Sequence, residues 1–504
     1  MTQTTPSAFN IRDFGALGDG QTRATAAIQA ALDACAEAGG GTVVVPAGMY
    51  LTGALFLHSH QTLFLDAGAT LLGSEDPADY PLIEHTWEGV SQRVHAPLIG
   101  GRALTTVALT GRGTVNGRGQ GWWQRVRDKT LEHPRPRLVS FAYCDNVLIE
   151  GCTFTNSPSW TLHPFHCENV TINGITIANP ADSPNTDGIN PESCRNVHIT
   201  NCHIDVGDDC VTIKAGVEDE DRERLSPCEN ITVANCTMVH GHGGVVIGSE
   251  TSGDVRNVVI ANCVFRGTDR GIRLKSRRGR GGVVEDIRVT NVVMQDVLCP
   301  FIVNLYYGCG AWGTPKVEDK SPWPVDEGTP RFRRIHFSHV TARDVQYAAA
   351  YLYGLAEMYV EDVSFEDVLV MLALDGGEGS PAMAPGISPM RRAGFHAHNV
   401  RGLRLHNVEI RDQLGPAVVV SDAADVEISG GVTHTLDGSV PVITLDNVAG
   451  ARIHGCKATE GTGVFLHLSG ANTRDVVLSG NDLYHVAQPP VSLAKGVGMD
   501  AVRK

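Results

Sequence analysis

Several features are scarce or missing in this sequence, and each absence excludes a class of protein. Aromatic residues make up only 6% of the 504 residues. No stretch reaches the ~18 consecutive apolar residues that a membrane-spanning helix needs, so we expect no membrane partner. Basic residues are not in excess, because 41 Lys+Arg against 56 Asp+Glu give a net charge of −15, which argues against nucleic-acid binding. Few aromatics together with 56 glycines favour a turn-rich chain over a helical bundle.

The 13 cysteines include no C-x-x-C pair, which excludes the usual patterns of a zinc ribbon or a thioredoxin-type site. Several of them follow Gly or Asn in one recurring context, such as Gly151-Cys152 and Asn201-Cys202. This recurrence predicts buried free thiols that fill a repeated structural slot, with disulfides as the alternative.

The first ten residues, MTQTTPSAFN, lack the basic and apolar regions of a secretory signal. We therefore expect a cytoplasmic protein, or a secreted one if this chain is the processed form of an exported precursor.

A short motif recurs along the chain, and each copy begins with asparagine followed by alternating apolar residues. Five copies start at Asn146 (NVLIEGCTF), Asn169 (NVTINGITI), Asn196 (NVHITNCHI), Asn230 (NITVANCTM) and Asn257 (NVVIANCVF). Their starts differ by 23, 27, 34 and 27 residues, a period typical of a solenoid. The skeletons of leucine-rich, WD40 and kelch repeats are absent. The pattern predicts an all-β, right-handed parallel β-helix, with the asparagines stacked as a ladder of amides.

The open end of a solenoid needs a cap. Apolar residues at helical spacing over Arg23 to Ala38 predict a capping α-helix, which the glycines at 39–41 would end. We expect residues 1–75 to form the N-terminal cap and first coils, and residues 76–504 to form one continuous β-helix. The long, Pro-rich segment Gly310 to Arg331 is expected to be a functional rim or interface loop.

Four groups of reactive residues follow one another at about the length of one coil. They are NTDG at 185–188, GDDC at 207–210, GHGG at 241–244 and RLK at 273–275. Asp187 and Asp208 are 21 residues apart, Asp209 and His242 are 33 apart, and His242 and Arg273 are 31 apart. Stacked coils would therefore bring these groups onto one exterior strip, with neighbouring rungs ~5 Å apart.

Such a strip has the chemistry of a glycosidase. Three carboxylates that repel one another raise the pKa of at least one, which supplies an acid beside a base. That pair is what cleavage of a glycosidic bond needs. Arg273 and Lys275 add positive charge that can bind a carboxylate, so the residues favour an acidic sugar as substrate.

In this order on a β-helix, the four motifs resemble those of glycoside hydrolase family 28, the polygalacturonases and related pectin hydrolases. The segments FGALGDG at 14–20, GTVNG at 113–117 and NSPSW at 156–160 also resemble landmarks of that family. The resemblance implies inverting hydrolysis of α-1,4-linked galacturonate, without a metal ion or other cofactor. It implies that Asp208 is the general acid, that Asp187 and Asp209 activate water, and that His242 tunes the acid.

The resemblance also implies a substrate-binding set. Arg273 and Lys275 match residues that bind the sugar carboxylate, and Asn185 matches a residue that supports the sugar next to the scissile bond. Tyr306 and Tyr307 follow Lys275 by about one coil, and we expect Tyr306 to contact substrate on position alone. Leu274 stands where the family usually has Ile and should point inward.

Carboxyl groups on rungs ~5 Å apart have the separation typical of retaining glycosidases, and inverting enzymes usually have a wider one. The family resemblance implies inversion, and we follow it on this point. We expect exo action on oligogalacturonates. A rhamnogalacturonan- or xylogalacturonan-type hydrolase on the same fold remains an alternative, and a pectate lyase or a non-catalytic carbohydrate-binding β-helix is less well supported. The oligomeric state is left open.

Overall fold

The computed structural model describes residues 8–88, 90–217, 225–433, 437–486 and 489–503. The chain divides into two compact units, residues 1–245 and 246–504. Strands dominate both units, and the described helices are few and short. They are α1 (Thr25–Glu37), α2 (Gly119–Arg127), α3 (Pro315–Glu318) and the 3-10 turns Ile11–Phe14, Pro77–Asp79 and Met499–Ala501.

The strands of the first unit are β1 (Ala8–Asn10), β2 (Asp19–Arg23), β3 (Gly41–Val45), β4 (Gly48–Thr52), β5 (Leu55–Phe56), β6 (Gln61–Leu65), β7 (Ala69–Gly73), β8 (Leu82–Trp87), β9 (Val90–His95), β10 (Ile99–Arg102), β11 (Thr105–Gly111), β12 (Thr114–Asn116), β13 (Val139–Ala142), β14 (Asp145–Glu150), β15 (Thr153–Thr155), β16 (Leu162–Phe165), β17 (Glu168–Asn173), β18 (Thr176–Ala178), β19 (Arg195–Thr200), β20 (His203–Val206), β21 (Val211–Ile213), β22 (Cys228–Ala234) and β23 (Thr237–His240). The next strand, β24 (Val245–Ile247), begins at the last residue of this unit.

The strands of the second unit are β25 (Val255–Arg266), β26 (Arg270–Lys275), β27 (Val283–Gln295), β28 (Cys299–Asn304), β29 (Arg331–Val345), β30 (Ala348–Tyr353), β31 (Val360–Leu372), β32 (Ala393–His398), β33 (Val400–Arg411), β34 (Val418–Ser429), β35 (Val432–Thr433), β36 (Ile443–His454), β37 (Lys457–Ala458), β38 (Leu466–Ser469), β39 (Arg474–Ser479), β40 (Val491–Leu493) and β41 (Val502–Arg503).

Parallel pairing between successive coils builds the core of the first unit. Strands β14, β17, β19 and β22 pair in that order, so that Val147, Val170, Val197 and Ile231 lie in one vertical column. All four side chains are buried. The alternating apolar pattern of each repeat therefore stacks like residues on like, as a parallel β-helix requires.

The second unit repeats this arrangement with longer strands. Strands β25, β27, β29, β31 and β33 pair in parallel, and the column Ile260, Val289, Phe337, Phe365 and Leu405 runs through them. Each of these side chains is buried. Both units are thus coils of a parallel β-helix, as the sequence predicts.

The asparagine that opens each repeat adopts a left-handed backbone conformation, with φ of 57° at Asn146, 55° at Asn169, 57° at Asn196 and 59° at Asn230. Asparagine tolerates this conformation better than most residues. The side-chain amides also form the predicted ladder, because Asn196 donates to Asn169 at 3.1 Å and Asn230 donates to Asn196 at 3.0 Å.

The predicted cap is confirmed as helix α1. Its buried face consists of Ile28, Ala31, Leu32 and Cys35, the residues that the helical spacing selects. The helix ends at Glu37, and the glycines that follow have positive φ values. The proposed division of the chain at residue 75 stays a prediction.

All 13 cysteines lie within the described residues and are free thiols, and only Cys309 is exposed. This confirms the expectation of buried thiols in a repeated slot.

No helix in the described ranges combines the length and the apolar character needed to cross a lipid bilayer.

Candidate active site

Three of the four predicted motifs lie on consecutive rungs of the first unit. The backbone N–H of Thr161 donates to the carbonyl of Asp187, and the N–H of Gly188 donates to the carbonyl of Asp209. One rung further, the N–H of His242 donates to the carbonyl of Asp208. The coil spacing of the sequence therefore stacks these motifs one above another.

This stacking brings three carboxyl groups together. One oxygen each from Asp187, Asp208 and Asp209 lies within 4.8 Å of the other two. Asp187 and Asp209 are 4% and 2% exposed, whereas the Asp208 side chain keeps 21% of its surface accessible. The cluster thus has two enclosed carboxyl groups and one that faces solvent.

Burial raises the pKa of the Asp187 carboxyl well above its usual range, and the charge of Asp208 adds to that shift. The charge of Lys214 and a hydrogen bond from the Asn190 amide, 2.9 Å long, act in the opposite direction. Thr212 also donates to the same carboxyl oxygen at 3.3 Å. Asp187 is therefore held in a fixed orientation and retains a proton to higher pH than an ordinary aspartate.

His242 reaches the cluster from the rung above. Its Nδ1 lies 3.2 Å from Oδ1 of Asp208, and about half of its side chain is exposed. The preceding Gly241 has φ of 75°, and a Cβ there would lie 2.3 Å from the carbonyl oxygen of Asp208. Only glycine fits this position, which explains why the motif carries glycine before its histidine.

Asn185 contacts an arginine that sequence reasoning did not select. Its side-chain carbonyl accepts a hydrogen bond of 2.8 Å from Arg135, which also donates to the carbonyls of Pro158 and Pro184. Burial lowers the pKa of the Arg135 guanidinium to about 10, and the charges of Glu88, Asp187 and Asp208 oppose this shift. Arg135 therefore fixes the loop that carries Asn185. The only sequence signal for it is the PRPR run at 134–137.

A β-hairpin packs against Trp160, Arg135 and Arg137 of the first unit. Strands β8 and β9 pair antiparallel, outside the coil pattern. Trp87, at the end of β8, stacks on Trp160 with ring centroids 6.0 Å apart, and the guanidinium of Arg135 lies 5.7 Å from the Trp87 ring. The buried Arg137 donates to the carbonyl of Thr86. These contacts anchor the end of β8 beside Arg135, which holds Asn185.

Arg273 and Lys275 belong to β26 in the second unit. Both are largely buried, and both lie over the ring of Tyr307, with Cζ of Arg273 at 5.5 Å and Nζ of Lys275 at 5.1 Å from its centroid. Leu274 between them points inward and is fully buried, as expected. The two cations are thus aligned on one face of the strand.

Tyr306 occupies a different environment from Tyr307. Its ring is buried beneath Lys320, whose Nζ lies 3.7 Å from the ring centroid, and burial raises the pKa of the phenol to about 12. The structure therefore sets Tyr307, rather than Tyr306, against Arg273 and Lys275. The roles of all these residues stay predictions.

The geometry of the carboxyl cluster suits water activation. A water hydrogen-bonded to two oxygens at ~2.8 Å, with a near-tetrahedral angle, needs those oxygens about 4.6 Å apart. The observed spacing within 4.8 Å matches this requirement. It is shorter than the ~6.5–9.5 Å usual between two carboxyl groups in inverting glycosidases. The third carboxyl group lies no farther away, so the spacing of this three-carboxyl cluster differs from that of a two-carboxyl inverting site. The same cluster has the donor atoms to hold a cation.

Comparison with known proteins assigns the family. The model described as "Glycosyl hydrolases family 28" matches residues 35–371, and the chain belongs to this family. A probable polygalacturonase of Vitis vinifera is 36% identical over 374 residues, which span 72% of this chain and 74% of that protein. An endo-polygalacturonase of Pectobacterium carotovorum subsp. carotovorum is 31% identical over 305 residues, or 56% of this chain and 72% of that protein.

A solved structure agrees with these relatives. The hyperthermoactive exopolygalacturonase from Thermotoga maritima matches with a TM-score of 0.68 at 30% identity, covering 81% of this chain and 92% of that one. The right-handed parallel β-helix predicted from the repeats is therefore confirmed. The chain is a pectin-degrading glycosidase, of a family that hydrolyses with inversion, and its substrate class is pectin or polygalacturonate.

The expectation of a cytoplasmic protein is wrong. Its homologues are plant and bacterial polygalacturonases that are secreted or extracellular. The expectation rested on the polar first ten residues, most of which lie outside the described ranges. A polar N-terminal segment does not decide the compartment in which a pectin hydrolase works.

Proposed function

We propose that this protein releases galacturonate from the non-reducing end of α-1,4-linked oligogalacturonates by inverting hydrolysis. The observation that supports the chemistry best is the cluster of Asp187, Asp208 and Asp209, whose oxygens lie within 4.8 Å of one another. An inverting glycosidase needs one carboxylic acid and one carboxylate that activates water. This cluster supplies both, with one group left over to hold the water.

Asp208 is the acid in this proposal, because it is the cluster's most exposed member and contacts His242. Its proton passes to the glycosidic oxygen as the bond from that oxygen to the anomeric carbon breaks. A water held between Asp187 and Asp209 attacks the anomeric carbon from the opposite face, and its proton passes to this pair. The raised pKa of Asp187 makes its carboxylate a stronger base than an ordinary aspartate.

Burial favours a proton on Asp187 when no substrate is bound, whereas the reaction requires it on Asp208. His242 is placed to favour that transfer, since its ring nitrogen lies 3.2 Å from Asp208. Arg273 and Lys275 bind the carboxylate of the sugar in this proposal, and Asn185, held by Arg135, supports the sugar beside the scissile bond.

Exo action is supported by the hairpin of β8 and β9. The end of β8 is fixed in the first unit, because Trp87 stacks on Trp160 and the carbonyl of Thr86 accepts a hydrogen bond from Arg137. In this proposal the hairpin limits the site to the end of a sugar chain. The match to an exopolygalacturonase supports the same mode, while the match to an endo-polygalacturonase keeps internal cleavage as the second candidate.

Product analysis on a defined hexamer of galacturonate tests the proposal. We expect galacturonate monomer as the main early product, and a larger share of internal fragments from Trp87→Ala, which removes the ring that anchors the hairpin. Nuclear magnetic resonance should show the β anomer first. Asp208→Asn should lower kcat by at least about a hundredfold, because it removes the general acid.

Several outcomes would count against this assignment. Mixed fragments from the wild-type enzyme at the earliest times would establish endo action, and the α anomer as first product would exclude inversion. Release of unsaturated sugars, lost on treatment with a chelator, would favour a lyase. Asp182→Asn, at an exposed aspartate of the first unit, is the matched control and should leave product pattern and rate unchanged.

A further inference from the structure

A cavity in the second unit carries chemistry that the carboxyl cluster does not use. Its volume is about 500 Å³, within the range of small-molecule sites. Tyrosines form much of its wall, together with one ammonium and one carboxylate. The residues that matter here are Tyr306, Tyr353, Tyr359, Lys320, His398 and Asp422.

The cavity lies along the strand ends that continue from Lys275. Lys275 pairs with Asn304, Asn304 pairs with Tyr353, and Tyr353 pairs with His398 in the parallel ladder. Tyr353 is thus two rungs from Lys275, or about 10 Å. A 1,4-linked pyranose chain advances by about one rung for each sugar, so a chain bound at Lys275 reaches the cavity two or three sugars further on.

Lys320 is the group in the cavity that can bind an anion. Its ammonium donates to the carbonyl of Val317 and lies over the rings of Tyr306 and Tyr353, at 3.7 and 5.4 Å from their centroids. Burial lowers its pKa to about 8, so it is charged at neutral and acidic pH. Within the described ranges, no carboxylate forms an ion pair with it. Lys320 is half-buried and the charges of Glu318 and Asp319 already act on it, so an anion in the cavity would add to their compensation of the ammonium.

A buried ion pair holds this lysine in place. Arg278 donates to both carboxyl oxygens of Glu357, at 2.6 and 2.8 Å, and to the carbonyls of Asp319 and Ser321 on either side of Lys320. Arg278 is therefore part of the scaffold of the loop and not a free surface charge. Its contacts orient Lys320 before a ligand binds, which lowers the entropy lost on binding.

The remaining wall suits a sugar better than a simple organic anion. Asp422 presents a carboxylate to the cavity, and it would repel a ligand that offers only negative charge. A sugar acid offers hydroxyl donors for this carboxylate as well as a carboxylate for Lys320. Tyr353 and Tyr359 add aromatic surface with polar ends, which matches the amphipathic faces of a pyranose ring.

We propose that this cavity binds one uronate residue of the substrate chain, two or three sugars from the residue at Lys275, with Lys320 on its carboxylate. The inference rests on the proposed function, since it requires an acidic oligosaccharide. In an exo enzyme, every sugar beyond the first lies on the leaving-group side, so the cavity holds the part of the chain that remains after cleavage. It also gives the predicted rim loop at 310–331 a role, because that loop carries Lys320.

The test compares galacturonate oligomers of two, three, four and six residues. Lys320→Met removes the charge and keeps most of the aliphatic stem. We expect it to lower kcat/KM for the hexamer about tenfold, as for loss of a charge-assisted hydrogen bond, and to leave the dimer unchanged. Tyr359→Ala should act in the same length-dependent way. Lys495→Met, at an exposed lysine of the same unit, is the control and should have no effect at any length.

Calorimetric binding to the Asp208→Asn enzyme provides a readout without turnover. Lys320→Met in that background should weaken the hexamer about tenfold and leave the dimer unaffected. If Lys320→Met weakens binding equally for all oligomer lengths, or does not weaken it at all, the inferred uronate site is wrong. The proposed hydrolase activity would be unaffected by that result. If Tyr359→Ala weakens the hexamer and Lys320→Met does not, the cavity binds a sugar without using its carboxylate, and the assignment of a uronate is wrong. If the wild-type enzyme cleaves no galacturonate oligomer, the proposed function itself fails.

Discussion

The pKa of the Asp187 carboxyl is set by the residues that surround it. It is 4% exposed, lies among two further carboxyl groups, and receives hydrogen bonds from Asn190 and Thr212. Burial disfavours its charged form, which raises its pKa well above the ordinary 3.8. The folded state therefore carries an electrostatic cost at neutral pH that the unfolded chain does not have. Enzymes commonly accept such a cost where a group with a shifted pKa is needed.

This cost predicts a pH dependence of stability. Below pH 3.8 the carboxyl is protonated in both states and contributes no cost, and the cost grows as pH rises toward the raised folded pKa. Asp187→Asn removes the ionisable group and keeps its shape. The difference in Tm between Asp187→Asn and the wild type should therefore be near zero at low pH and become increasingly positive toward neutral pH, by several degrees. Calorimetric melts across this pH range measure it.

Asp182→Asn provides the comparison, because Asp182 is exposed in the same unit. The difference in Tm between Asp182→Asn and the wild type should be the same at every pH. A flat profile for Asp187→Asn as well, or one that becomes more negative as pH rises, would show that Asp187 is not held in the environment described here.

At the residue scale, the sequence predicts groups that belong to the repeat. Asp187, Asp208, Asp209 and His242 lie at coil spacing, and the structure stacks them as expected. Arg135 could not be found in this way. It enters from a segment between coils, and nothing in its spacing relates it to Asn185, 50 residues further along the chain.

The asparagine ladder is the element that links one coil to the next in the first unit. Each asparagine resolves two local problems, since it accepts a left-handed backbone at the start of a strand and gives its amide a partner on the rung below. Asn196 does both, with φ of 57° and hydrogen bonds to Asn169 and from Asn230. A β-branched or apolar residue at this position would lose both contributions.

Asn196→Ala should therefore destabilise the first unit by about 2–5 kcal/mol. Left-handed backbone costs an alanine roughly 1–2 kcal/mol, and each lost hydrogen bond costs about 0.5–1.5 kcal/mol. Urea unfolding followed by circular dichroism measures the change. Asn196→Gly loses the hydrogen bonds but accepts the backbone, so it should be less damaging than Asn196→Ala. The reverse order would show that the backbone conformation is not what selects asparagine here.

Elements outside the repeat mark the limit of prediction from sequence. Helix α1 and the coil strands follow from periodicity, because every copy buries the same face. The hairpin of β8 and β9 and helix α2 appear once each and carry no period to detect. Both are insertions, and their tertiary contacts, such as Trp87 on Trp160, decide their structure. Insertions of this kind also carry much of the specificity that differs between members of one fold.

At the scale of the whole molecule, the burial of the cysteines shows that the coils are tightly packed. Twelve of the 13 are buried, and several occupy equivalent slots in successive coils, with the Cys202 backbone N–H contacting the sulfur of Cys236 on the next rung at 3.5 Å. Burial raises the pKa of Cys152, Cys228 and Cys299 to about 12, so almost no thiolate is present at neutral pH. Each slot is filled by a small apolar side chain, and a thiol that stays protonated is a poor nucleophile.

This packing predicts that far fewer thiols react with a reagent in the folded protein than in the unfolded protein. Titration with a thiol reagent should detect one reactive cysteine in the native state, the exposed Cys309, and all 13 in denaturant. Cys309→Ser should bring the native count to zero without changing Tm, and reductant should leave Tm unchanged because the described thiols are already free. Two or more fast-reacting thiols in native Cys309→Ser would mean that the coils open on the timescale of the reaction. In that case the stacked slots would not be the rigid scaffold on which the alignment of Asp187, Asp208 and His242 depends.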